Sequence, residues 1–287
     1  MVEVPPVIRR AVRAADRVLL RLAADAARPV DVRRHRVALP PLDDVGREVV
    51  ATLARGDIAM VHLDRLGLAS TRDMEAAGRG VLAELEEEDS RAREAGGPPR
   101  IRTATGLAAL RTWATEPKLL AIAQHHIQLP VVFQGVHARL ELANDVARTT
   151  ELWHRDIEDR RMLKCFVHLS EVNTEHGPFE YLRDSDLSAA DIRSIRGAER
   201  MARRQGSLGL RDEQMAELVD PAAWRSSPVP ARTVVFADTA AMFHHGRRRT
   251  VPRPALFFVY TSAFPRRPEH CRQYWDDRHL PPGGAVR

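Results

Sequence analysis

His154 and Asp156 lie two residues apart in Leu152-Trp153-His154-Arg155-Asp156, just before an apolar run, Met162 to Leu169, that reads as a strand. Along a strand, residues i and i+2 project to the same face, so this imidazole and carboxylate can grip one metal ion. A third ligand would complete a two-histidine, one-carboxylate facial triad, the donor set of non-haem Fe(II) oxygenases. The candidates are His244 and His245, in Phe243-His244-His245-Gly246, far from Asp156 in sequence but reachable in an antiparallel fold. Facial coordination leaves three positions on an octahedral ion, room for a bidentate 2-oxoacid and dioxygen.

A dicarboxylate cosubstrate needs a cation at its far end, and guanidinium suits it because its fork binds a carboxylate bidentately. Arg253 lies nine residues beyond His244, at the start of Ala255-Leu256-Phe257-Phe258-Val259-Tyr260. Lys164 alternates with apolar neighbours, so it either points inward toward an anion such as the cosubstrate or sits on the outer face. Trp153 reads as packing for the metal strand, with substrate contact as the alternative, and His168 as a satisfied sheet histidine. Glu158, Asp159, Arg160 and Arg161 read as a charged network bracing the metal strand. His125 and His126, adjacent on a helical patch, point about 100° apart and so do not share an ion.

The elements that must position these residues change in texture along the chain. Residues 6–27 place Ile8, Ala11, Val12, Ala15, Val18, Leu19 and Leu22 at helical spacing between arginines, an amphipathic helix read as packed on the domain or on a partner subunit, with a transit peptide or membrane-surface helix as the alternative. Asp43 or Asp44 can cap a helix over Val45–Leu53, a short strand follows at Ile58–Leu63, and helices are expected over 71–95 and 116–125. Gly96-Gly97-Pro98-Pro99 breaks the chain. From Pro130 strands take over: Val131–Gln134, Val136–Leu142, Met162–Leu169, Thr233–Phe236 and Ala255–Thr261. A polar insert, 184–229, with expected helices Ala189–Arg204 and Asp212–Leu218, is either a substrate lid or a surface decoration. The organisation expected is a single domain: a mostly helical flank (1–125), a sandwich or jelly-roll core (130–262) carrying the insert, and a C-terminal tail (263–287).

The totals narrow the function classes. At 287 residues the chain can bury a substantial core. Of 44 basic residues all but Lys118 and Lys164 are arginine, a bias typical of GC-rich bacterial coding, so the formal charge of +5 is partly a genomic accent. Aromatics are 5% and arginines are strewn among 39 acids, unlike the basic stripe with interleaved aromatics of a nucleic-acid binder. No apolar run approaches a membrane span. Two cysteines, Cys165 and Cys271, make no disulfide framework or zinc-ribbon spacing, and a cytoplasmic location is expected.

The run WHRD-x-ED-RR-x-LK-x-F-x-x-LS-x-V, then HGPFEY, then FADT-x-x-x-FHHG and R-x-ALFFVYTS resembles the phytanoyl-CoA dioxygenase-like family over roughly residues 130–262. The resemblance implies a mainly β double-stranded β-helix (jelly-roll, cupin-like) fold with N-terminal helices, with Fe(II) and 2-oxoglutarate as cofactors and O2 as co-substrate. It assigns His154 and Asp156 as metal ligands and Arg253 as the 2-oxoglutarate clamp. His244 matches the distal histidine where the pattern is Phe-His-x-Gly, and His245 where members read His-Gly directly; we take His244, with His245 as the alternative. Two departures, Arg183-Asp184-Ser185-Asp186 after the Gly-Pro turn and Arg247-Arg248-Arg249 in place of an asparagine, remove the basis for carrying over a fatty acyl-CoA substrate. The implied reaction is oxidation of an unactivated C–H bond, by hydroxylation, cyclisation or desaturation. Halogenation is disfavoured because Asp156 fills the position that halogenases leave small. The expected substrate is a small molecule of bacterial natural-product tailoring, such as a glycoside or a carrier-bound acid, handled by a monomer or homodimer without nucleic-acid or membrane partners. The competing class is a metal-binding cupin-like isomerase or binding protein, which has no need of Arg253 as a clamp.

Overall fold

The computed structural model describes residues 25–92, 100–143, 147 and 149–275. The expected helix over 6–27 therefore lies mostly outside the described residues. A helix α1 is described over 25–36. Asp43 caps α2 (Asp44–Ala54), its side chain accepting from Gly46 N, as its sequence position leads one to expect. Then follow β1 (Ala59–His62), α3 (Leu63–Leu66), α4 (Thr71–Ala92), β2 (Arg100–Thr103), α5 (Ala108–Ala114) and α6 (Pro117–Ile127). Proline opens α6 and Gln128, at φ +62°, ends it.

Strands then dominate: β3 (Val131–Glu141), β4 (Leu163–His168), β5 (Phe179–Leu182), β6 (Arg225–Ser227), β7 (Thr233–Ala237), β8 (Phe243–Gly246) and β9 (Arg253–Ser262). The insert between β5 and β6 carries α7 (Ala189–Arg204) and α8 (Asp212–Ala216), and α9 (Pro268–Cys271) follows β9. A six-stranded sheet runs β1-β7-β4-β9-β3-β2, and a three-stranded sheet β6-β5-β8 faces it. Every pairing is antiparallel. The fold is a jelly roll with a helical flank. No helix among the described residues is long and apolar enough to cross a membrane.

Alternation along the large sheet divides its side chains between two environments. Val136, Ala138, Leu140, Cys165, Val167, Val234, Phe236, Leu256, Phe258 and Tyr260 join one buried cluster with Val49, Leu53, Met74, Leu82, Leu110, Trp113 and Ile122 of the helices. The opposite face carries Phe166, Val235, Ala237 and Phe257, which meet Phe179 and Tyr181 of the small sheet. Polar side chains on that inner face line the space between the sheets.

Two expected strands, Val131–Gln134 and Val136–Leu142, are one strand, β3, with a register shift between Phe133 and Gly135. Gly135 looks like a break in the sequence, but it is where the strand bulges. Its φ of +143° suits glycine, and a Cβ there would fall on Thr105 Oγ1 and on the Tyr274 carbonyl. That close approach lets Thr105 tie the two segments, its hydroxyl donating to Tyr274 O at 2.5 Å and accepting from Val136 N at 2.9 Å. Gly135→Ala is therefore expected to cost about 1–3 kcal/mol in backbone strain alone. It should lower the urea midpoint and expose the Tyr274 segment to limited proteolysis, whereas an unchanged midpoint would refute the close approach.

Candidate metal centre

The HxD stretch belongs to no strand of either sheet, whereas the sequence reading set its two residues on a strand. It is an extended segment pinned from both sides. Trp153 exchanges backbone hydrogen bonds with Leu210 of the insert, and His154 with His244 of β8 at 3.0 and 2.9 Å. Asp156 N donates to Thr239 O. These bonds keep the chain extended without a ladder, so the imidazole and carboxylate still share a side.

His154 Nδ1 donates to Leu152 O at 2.6 Å and His244 Nδ1 to Met242 O at 3.1 Å. A carbonyl acceptor on Nδ1 places the proton there and leaves Nε2 as a lone-pair donor toward the centre. His154 Nε2 is 3.7 Å from Asp156 Oδ1, and His244 Nε2 is 3.9 Å from Asp156 Oδ2. The three ligand atoms lie within 4.8 Å of one another. Bonds of about 2.1 Å at right angles put donors roughly 3 Å apart, so the set must close by about 1 Å around an ion. Burial, then the neighbouring His154, pushes His244 down to about 3, and burial lowers His154 as well. For Asp156 burial acts to raise the pKa, but the Lys164 ammonium and the two imidazoles outweigh it and hold the carboxyl below its usual range. Neutral imidazoles and an ionised carboxylate are the protonation states that a divalent ion requires, so the donor set fits one.

Lys164 points inward, as one of its two readings has it, and the anion it meets is Asp156 itself, with Nζ 2.5 Å from Oδ2. His245 faces away from Asp156. Its ring stacks on Trp153 at 4.0 Å, and its nitrogens contact Glu151 O and Glu180 Oε2. Of the adjacent histidines on β8, only His244 joins His154 and Asp156. His125 and His126 have separate partners: His125 contacts Pro40 O, while His126 contacts Asp238 at 2.9 Å. Trp153 is fully buried and donates to Asp212 Oδ1.

The bracing network has a different target from the one expected. Asp159 accepts from the backbone and hydroxyl of Ser262, and Glu158 from the Tyr274 hydroxyl, so they tie the segment to the end of β9 and to the chain after it. The ligand segment is gripped instead by the insert. Glu199 of α7 accepts from Arg155 N at 3.2 Å, and Arg203 Nη2 donates to Arg155 O at 2.8 Å.

Arg253 is not the free clamp that the sequence leads one to expect. One terminal nitrogen donates to Glu141 and the other to Gly177 O. Glu141 also meets Arg249 at 3.2 Å and, more loosely, Arg139 at 3.6 Å, while Arg249 pairs with Glu151 at 2.6 Å. Burial acts to raise the Glu141 pKa, but Arg253, Arg249 and Arg139 prevail and keep it well below the carboxylate range. Among the described residues, three guanidiniums face two carboxylates, which leaves one positive charge. Sequence reasoning missed Arg139 and Glu141, although alternation within the expected strand Val136–Leu142 puts both on one face.

An inner pocket of about 50 Å³ has His154, Lys164 and His244 among its lining residues, together with Arg139, Glu141 and Arg253. An outer cleft of about 510 Å³ shares His154, Lys164 and Arg139 with it and adds Asp156, Arg203, Leu208 and Tyr274. The donor set thus lies where a small inner pocket meets a larger cleft.

His168 also lines the inner pocket, and its Nδ1 is buried without a partner, so the satisfied sheet histidine expected there is corrected. Burial, then the charge of Arg253, pushes its imidazole down to about 3. The unfolded chain takes up this proton near pH 6.5, whereas the folded chain refuses it until about pH 3. Its contribution is therefore intact above 6.5 and is lost as pH falls toward 3. In metal-free protein, His168→Gln is expected to flatten that acid limb by up to about 1.4 kcal/mol per pH unit. Urea midpoints measured from pH 7 to 4 read this, and an unaltered slope would exclude a buried neutral imidazole.

No protein-family model matches the sequence, and no curated protein matches it. Among solved structures, the chain is similar to the non-haem α-ketoglutarate-dependent epimerase SnoN from nogalamycin biosynthesis, at 17% identity and a TM-score of 0.51, over 84% of this chain and 91% of SnoN. SnoN is also solved in complex with Fe3+, α-ketoglutarate and nogalamycin RO. A second similar structure is the non-haem α-ketoglutarate-dependent carbocyclase SnoK from the same biosynthesis, at 19% identity and a TM-score of 0.50, over 75% of this chain and 83% of SnoK. At these identities the likeness is one of fold, and it identifies the two facing sheets and their helical flank as the jelly roll on which those enzymes are built.

Proposed function

We propose that this chain is an Fe(II)- and 2-oxoglutarate-dependent oxygenase acting on an unactivated C–H bond of a small organic substrate, in bacterial natural-product tailoring. The observation that carries the proposal is the convergence of two bare Nε2 atoms and an ionised carboxylate from His154, His244 and Asp156. The similar fold of SnoN and SnoK, whose names declare α-ketoglutarate dependence, supports it. Those two names also describe an epimerisation and a carbocyclisation, so one fold serves several outcomes. Hydroxylation, cyclisation and desaturation all belong to the proposal.

His154, Asp156 and His244 would hold the iron, and the surplus cation of the arginine cluster would meet the far carboxylate of 2-oxoglutarate. Bound there, the two supply the oxidation of a C–H bond with O2, the cosubstrate leaving as succinate and CO2. The chain's own part is orientation. Leu152 O and Met242 O fix the imidazole tautomers, and Lys164 steadies the Asp156 carboxylate. The outer cleft, with Arg203 and Leu208 on one wall and Tyr274 on another, would receive the substrate.

The pairing of Arg253 with Glu141 favours a second reading, a cupin-like metal-binding isomerase or binding protein with no cosubstrate. The excess of three guanidiniums over two carboxylates among the described residues weighs against it, because a buried cluster of net positive charge favours a further anion. Under nitrogen, Fe(II) and 2-oxoglutarate added to the protein are expected to give a visible charge-transfer band, and under air the protein should release succinate. Asp156→Ala should abolish both. Undiminished succinate from that variant would sink the donor-set assignment, and absence of the band in the unaltered protein would leave the second reading in place.

A further inference from the structure

Helix α1 lies against the domain without burying a single described residue. Its half-buried positions, Asp25, Arg28, Val32 and His35, recur at helical spacing and form its inward stripe. A helix that packs on a core presents apolar side chains on that stripe. α1 instead turns an arginine and a histidine inward, while Val30 and Val37 are 51% and 90% exposed. None of its described residues joins an apolar cluster.

Polar contacts hold the helix at its two ends. Asp25 accepts from Arg160, and Arg36 Nη2 donates to Gln128 Oε1 at 3.3 Å. Between these ties α1 stands over a cavity of about 540 Å³, a volume that suits a small organic ligand. The facing wall is apolar: Leu129 and Pro130 come just before β3, Ala263 and Phe264 just after β9. Ala263 N donates to Pro130 O at 2.8 Å, which fixes this wall as a continuation of the β3–β9 ladder. Phe264 is 86% exposed.

The helix side of the cavity is cationic. Among the described residues, Arg28 and Arg34 make no hydrogen bond or ion pair, and His35 Nε2 is buried without a hydrogen-bond partner. Asp31, three residues from each arginine and also in the lining, forms an ion pair with neither. Arg160, the third guanidinium of the lining, is taken by Asp25 and, at 3.8 Å, by Asp159. Burial lowers the Arg28 pKa; Asp159 opposes this, and the charges of Arg160 and Arg161 add to it. A negative charge beside Arg28 offsets both effects. The sequence leading into α1 is itself basic, with Arg9, Arg10, Arg13, Arg17 and Arg21 against Glu3 and Asp16.

Independently of the oxygenase reading, we propose that the cavity under α1 is a second binding site, for a phosphate monoester on a flat apolar body. Arg28, Arg34 and His35 Nε2 supply three separate donor groups for three terminal oxygens, and the apolar body lies along the wall that ends in Phe264. A carboxylate offers these donors two oxygens, and an uncharged ligand gives the guanidiniums no counter-charge.

The test is titration calorimetry on the full, metal-free chain at low salt, with phenyl phosphate, benzoate, inorganic phosphate and benzyl alcohol. Phenyl phosphate should bind tightest, and benzyl alcohol should give no heat of binding. Arg28→Gln and Arg34→Gln should each weaken phenyl phosphate by roughly 10-fold or more, the scale of one charge-assisted hydrogen bond. Phe264→Ala, at an exposed position, should weaken phenyl phosphate by roughly 3- to 10-fold and leave inorganic phosphate unchanged. Arg203→Gln, at the outer cleft, should leave phenyl phosphate unchanged. No binding of phenyl phosphate overturns the assignment, as does an affinity that follows Arg203 instead of Arg28 and Arg34. Benzoate or inorganic phosphate binding as tightly as phenyl phosphate overturns the ligand class and the proposal with it. With neither iron nor 2-oxoglutarate in the titration, each of these outcomes leaves the oxygenase reading as it stands.

Discussion

Two backbone hydrogen bonds, exchanged between His154 and His244, are the constraint on which the candidate centre depends. They join segments ninety residues apart, and neither residue is held there by a long ladder. β8 has only four residues, and the segment at 153–154 meets it through a single bridge. The stability of so short a pairing has to come from its surroundings. Trp153, fully buried beside Phe243, Leu182 and Leu210, supplies it on one side, and Phe179, stacked on the His244 ring at 5.3 Å, on the other. The helical insert is in this sense part of the site's foundation.

A second constraint is electrostatic. Burying ionised groups is unfavourable unless each finds a partner, and the inner pocket buries several. At the metal end Lys164 lies against Asp156, so a cation already stands beside the carboxylate before any ion arrives. At the far end three arginines share two glutamates. The two ends differ in chemistry: the first gathers two imidazole Nε2 atoms and a carboxylate, the second sets three guanidiniums against two carboxylates among the described residues.

Legibility in the sequence followed the range of the interactions involved. Helix α7 was readable to its ends because its signals are local: Ser188 and Asp191 form a capping box, and the apolar residues recur at helical spacing. The spacing of His154 and Asp156 was readable for the same reason, even though the segment is not in a strand, since an extended backbone suffices. Strands β2, β5, β6 and β8 went unassigned, having three or four residues each, at most two periods of alternation. The commitment of Arg253 to Glu141 could not be read at all. It arises from the register of β3 against β9, two strands more than a hundred residues apart, and no local spacing encodes which side chain a neighbouring strand will bring opposite.

The same distinction explains why Arg155 matters although it faces no ligand atom. It lies between the two ligands of the HxD stretch, and α7 holds both its backbone groups: Glu199 accepts its N–H and Arg203 donates to its carbonyl. Fixing one peptide unit on either side of a residue restricts the φ and ψ that relate His154 to Asp156, and those two dihedrals determine whether the imidazole and carboxylate converge. Glu199 is itself buried and also pairs with the guanidiniums of Arg155 and Arg203, so the grip cannot relax at one point without exposing or unpairing a charge. The insert and the donor set are therefore one mechanical unit. Because Arg203 and Leu208 also line the outer cleft, that wall is joined through the backbone of Arg155 to the segment that carries His154 and Asp156.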